Sequence, residues 1–68
     1  MSEKTGLQHA IEAAGGTNAL GRLLGITGQA VAQWEKIPAE RAPEIERLTG
    51  VKRSILRPDL WPANEQMA

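Results

Sequence analysis

Glycines stand where helices have to stop. Gly15-Gly16, Gly25 and Gly50 cut the chain into short apolar-periodic segments, and glycine reaches the left-handed conformation that ends a helix without steric cost. Segments of two or three turns are marginal alone in water, so each must bury its apolar stripe against the others. With 68 residues and no cysteine, the chain makes one small domain with neither disulfides nor a thiolate metal site. Ten Ala, seven Leu, five Ile and two Val against two Trp and no Phe or Tyr is a helix-forming palette, which disfavours a barrel or sandwich. The expected fold class is all-α, a compact bundle of about five short helices.

The punctuation places those helices. Thr5 precedes Gln8 at capping-box spacing, and Leu7, Ala10, Ile11 and Ala14 then recur at i, i+3, i+4 and i+7. A second helix covers about 17–24, with Leu20 and Leu24 on one stripe. Thr27 is suited to cap a third over about 28–36, whose apolar positions are Ala30, Val31 and Trp34 and which Ile37-Pro38 stops. A fourth runs over about 39–49 with Ala42, Ile45 and Leu48 in phase, Pro43 being tolerated only near its first turn. Residues 51–57 add one more turn before Pro58. The domain is expected to span 1–62, with 63–68 a flexible tail.

The join Leu24-Gly25-Ile26-Thr27 between the second and third helices carries the functional information. A steep helix–helix turn needs positive φ at one residue, an apolar plug and a cap, which Gly25, Ile26 and Thr27 supply. Gly21 is small where the two helices would touch, and Leu20, Leu24, Ile26, Val31 and Trp34 are spaced to be buried between helices. These are the requirements of a helix-turn-helix.

The stretch LLGITGQAVAQWEKIPAERAPEIERLTG, followed by LRPDLWP, resembles the small Cro-type phage repressors and the YdaS-like regulators of prophages. The resemblance extends over about residues 7–62, and its most specific parts are the glycine turn, the Ala-Val-x-x-Trp helix and the Ile-Pro-x-x-Arg-Ala-x-x-Ile-Glu segment. It implies a lambda-repressor-like fold and sequence-specific binding of operator DNA by a transcription regulator. Two positions depart from the family pattern: Gly21 stands where alanine is usual, and Gly28 where a polar or larger residue is common.

Helical geometry then says which side chains can meet DNA. With Val31 and Trp34 turned inward, the opposite face presents Thr27, Gly28, Gln29, Ala32, Gln33 and Lys36. Glutamine can pair in bidentate fashion with adenine and Ala32 can meet a thymine methyl, so Thr27, Gly28, Gln29, Ala32 and Gln33 are the candidate base contacts. Thr17, Asn18, Arg22 and Lys36 are the candidate phosphate contacts. On periodicity alone the glutamines are equally ordinary solvated residues, and Arg22 serves as readily for solubility.

Eight Lys/Arg against eight Asp/Glu sum to zero, which predicts no bulk attraction to a polyanion. The charges are nevertheless segregated. From Ala13 to Trp34 Arg22 is the only charged side chain, while Glu40, Glu44, Glu46 and Asp59 lie beyond. Lys52, Arg53 and Arg57 would strengthen the positive face if they share its side, and Glu44 is spaced to pair with Arg47. Few phosphate contacts predict modest monomer affinity and a shallow salt dependence.

Ile55, Leu56, Leu60 and Trp61 exceed what one short helix hides, which points to a homodimer interface, unless Trp61 folds back to cap the bundle. An alternative reading is an antitoxin-like component whose main contact is a partner protein. One His and no Cys give enzyme chemistry nothing to assemble from, and no metal or cofactor is expected. No apolar stretch approaches a membrane span and the start lacks a signal peptide, so a cytoplasmic, nucleoid-associated protein is expected.

Overall fold

Thr5 Oγ1 accepts the Gln8 N–H at 3.1 Å and Gln8 Oε1 accepts the Thr5 N–H at 3.0 Å, so the capping box is closed in both directions. This opens α1, Gly6–Ala14, in the computed structural model of the protein, which describes residues 5–62. The expected tail at 63–68 lies outside the described residues. α1 ends where the Gly16 N–H reaches back five residues to the Ile11 carbonyl at 2.8 Å, the wider-spanning of the bonds that close a left-handed helix terminus. α2, Thr17–Leu24, follows at once and closes the same way at Gly25, φ 77°.

α3 spans Gly28–Ala32 and is shorter than the periodicity predicts. The reason is Ile37, which is fully buried. On a continued helix, six residues of about 100° each would turn Ile37 roughly 120° away from Val31 and out of the core. The last turn instead tightens, with the Trp34 N–H on the Val31 carbonyl at 3.1 Å, and the extended backbone of Pro38 (φ −61°, ψ 140°) follows. Both Val31 and Ile37 thereby reach the core, and Trp34 is half-buried against it.

A 3-10 turn, Ala39–Arg41, leads into α4, Ala42–Thr49, with Pro43 in the first turn where no helical N–H is lost. Ala42 and Ile45 are fully buried, but Leu48 is exposed, contrary to its place on the expected stripe. α4 presents its first turn to the core and its second to solvent. α5 is the single turn Arg53–Leu56. Gly6 is seated on the Ile55 and Leu56 carbonyls so closely that a Cβ there would clash with both. Among the described residues the molecule is entirely helical, and its core is Ala10, Leu20, Leu24, Val31, Ile37, Ala42, Ile45 and Leu56.

Candidate nucleic-acid interface

The α2–α3 unit is built on two glycines. A Cβ on Gly21 would stand 2.7 Å from the Ile26 carbonyl oxygen, 2.8 Å from the Thr27 carbonyl carbon and 2.9 Å from the Gly28 nitrogen. The turn therefore lies directly on α2, closer than alanine allows. At Gly28 a Cβ would meet the side chain of Asn18. Gly21 and Gly28 thus serve one close approach of α3 to α2. Thr27 Oγ1 accepts the Ala30 N–H at 3.0 Å, which satisfies an orphan donor of α3 and fixes where the helix begins.

With Val31 buried, the other side of α3 is open. Gln29, Ala32 and Gln33 are exposed. Gln33 is the C-cap, yet its backbone stays helical (φ −83°, ψ −10°) and its N–H reaches the Gln29 carbonyl at 3.2 Å. The two glutamines therefore remain one turn apart on one face. Thr27 is exposed and Gly28 half-buried. On α2, Asn18 and Arg22 are exposed one turn apart, beside a half-buried Thr17. Lys36 is exposed but lies past the end of α3, so it does not extend the glutamine face.

The electrostatics differ from expectation at the C-terminal end. Arg53 pairs with Glu46 at 2.7 Å and lies 5.7 Å from the centre of the Trp61 ring. Arg57 donates to both Asp59 carboxylate oxygens, at 3.0 and 2.8 Å, and to the Ile37 carbonyl at 2.7 Å. Neither arginine is free to strengthen a positive face. The Arg57 hydrogen bonds hold the Asp59 carboxyl down at about 2, with Lys36 adding a smaller pull in the same direction. Glu44 pairs with Arg41 at 3.4 Å rather than with Arg47.

The four residues expected at a dimer interface separate. Leu56 is in the core, because α5 turns it inward against α1 and α4, and it is not available to a second subunit. Trp61 is half-buried against the core, as in the capping alternative, while Ile55 and Leu60 are exposed. Among the described residues no group of His, Cys, Asp and Glu could hold a metal, and no helix is long and apolar enough to cross a membrane.

A family model described as bacterial toxin YdaS matches residues 7–65. The chain belongs to the YdaS family. A YdaS relative from Escherichia coli (strain K12), named "Putative transcriptional regulator YdaS", is 42% identical over 64 residues, covering 85% of this chain and 65% of the relative. The chain thus spans slightly under two thirds of that relative's length. No solved structure matches the chain. The YdaS match covers the whole helix-turn-helix and the Leu-Arg-Pro-Asp-Leu-Trp-Pro segment at residues 56–62.

Proposed function

We propose that this YdaS-family chain is a transcription regulator that binds double-stranded DNA by laying α3 in the major groove. The observation that carries the reading is the exposed pair Gln29 and Gln33, one turn apart with Ala32 between them, on a helix locked against α2 at Gly21. Each glutamine amide offers a donor and an acceptor at the separation of adenine N6 and N7, and Ala32 suits a thymine methyl. Thr17 and Arg22 on α2 supply backbone contacts that set register, and Lys36 supplies charge at the rim. Such a protein acts as a repressor by occupying an operator that polymerase needs, without chemistry of its own, in the cytoplasm on the nucleoid. One reading helix per chain favours a two-fold pair that places two α3 helices about 34 Å apart, joined through Ile55 and Leu60.

Selection of bound duplexes from a random DNA pool tests this reading. An enriched consensus is expected, two-fold symmetric if the pair forms. Recovery of no consensus would overturn sequence-specific binding.

A second reading is favoured by the description of the family as a toxin and by the exposure of Ile55 and Leu60. In it the chain acts chiefly through a partner protein, as part of a two-gene toxin–antitoxin system. Stable co-purification with the product of the adjacent gene, together with no DNA consensus, would select that reading.

A further inference from the structure

The first position of α3 carries no side chain of its own, and a residue of α2 occupies its place. A Cβ built on Gly28 would collide with Asn18 Oδ1 and lie 2.9 Å from both Cγ and Cα of Asn18. The Asn18 side chain therefore rests on the head of α3. It is exposed, and its amide makes no hydrogen bond to other described residues. An asparagine near the start of a helix commonly caps a backbone amide or turns to solvent. Here the amide is instead held by contact with Gly28, next to Gln29 in the chain, with its donor and acceptor unspent.

We propose that Asn18 is a specificity-determining residue that reads a base edge at the head of α3, in place of the side chain that Gly28 lacks. The proposal rests on the reading of α3 as the helix in the groove and deepens it. Its position on α2 alone would make Asn18 a phosphate contact. The cleft left by Gly28 instead draws it toward the reading helix. Asparagine has the same amide as glutamine and can pair with adenine N6 and N7 in the same bidentate manner. The reading surface then comprises three amides, from Asn18, Gln29 and Gln33, with one supplied by the neighbouring helix.

The test measures affinities of wild type, Asn18→Ala, Gly28→Ala and the double variant on a selected duplex and on duplexes changed one base pair at a time. Asn18→Ala keeps its fold, since the side chain is exposed and unbonded. It should lose on the order of tenfold in discrimination at one base pair and retain the wild-type profile elsewhere. Loss of a phosphate contact would instead weaken every duplex alike. Gly28→Ala displaces Asn18 and should relax the same base pair, and adding Asn18→Ala to it should change nothing further. Melting curves show whether Gly28→Ala folds, and if it does not, the Asn18→Ala profile decides. Uniform weakening on all duplexes, or an unchanged profile, would overturn the proposal while leaving α3 as the reading helix. A wild type that discriminates no base pair would overturn both.

Discussion

The Gly21 carbonyl accepts the Ile26 N–H at 2.8 Å, and the Ile26 carbonyl oxygen lies 2.7 Å from where a Cβ on Gly21 would be. One residue of α2 thus bonds to the turn and also leaves room for it. The angle at which α3 leaves the bundle depends on that contact.

Gly21→Ala is therefore expected to destabilise although alanine is the better helix former. Propensity returns about 0.8–1.0 kcal/mol, while forcing a methyl against three backbone atoms costs up to about 3 kcal/mol. The net loss should be roughly 1–2 kcal/mol in urea unfolding, accompanied by weaker DNA binding. An unfolding midpoint equal to or above wild type would show that the turn gives way easily.

Ile37 should matter more to stability than the larger Trp34. Ile37 is fully buried and Trp34 only half. Ile37→Ala should cost about 2–5 kcal/mol, and Trp34→Ala less than Ile37→Ala, read from the same unfolding curves. The opposite order would mean that α3 is held by the indole rather than by the loop that follows it.

Much of this was legible in the residues, and what was not has a common cause. α1 and α2 end where glycines predict, because a left-handed stop is a local property, and the Thr5 and Thr27 caps are equally local. The end of α3 is not local. Ile37 leaves the helix to fill a place in a core made by residues far away in the chain, and periodicity within one segment carries no trace of that. The same holds for Arg57, whose guanidinium is held on the Ile37 carbonyl 20 residues away while Asp59 offsets its charge, although it would have strengthened the positive face had it shared that side. At the candidate site the glutamine pair followed from i, i+4 spacing. The lodging of Asn18 on Gly28 required the crossing of two helices, and the only hint was glycine at a helix start.

Acid should selectively weaken the Arg57–Asp59 clasp. Asp59 titrates at about 2 in the folded protein against an ordinary 3.8. Because the folded value is depressed, its stabilising contribution is complete above the unfolded value and is lost as pH falls through the folded one. The difference in melting temperature between wild type and Asp59→Asn should be constant from about pH 5 to 7, shrink below about pH 4 and close near pH 2. A difference that persists unchanged to pH 2 would mean that the carboxylate charge is not what Arg57 holds.

On the proposed function, α3 reads bases through Gln29 and Gln33 while Arg22 on α2 contacts phosphate. The most direct measurement compares Gln29→Ala, Gln33→Ala and Arg22→Ala on one selected duplex and its single-base-pair variants. Each glutamine variant should lose about 1–3 kcal/mol at one base pair and little elsewhere, and Arg22→Ala should weaken every duplex alike. Glutamine variants that keep wild-type affinity and the full wild-type preference would contradict the account.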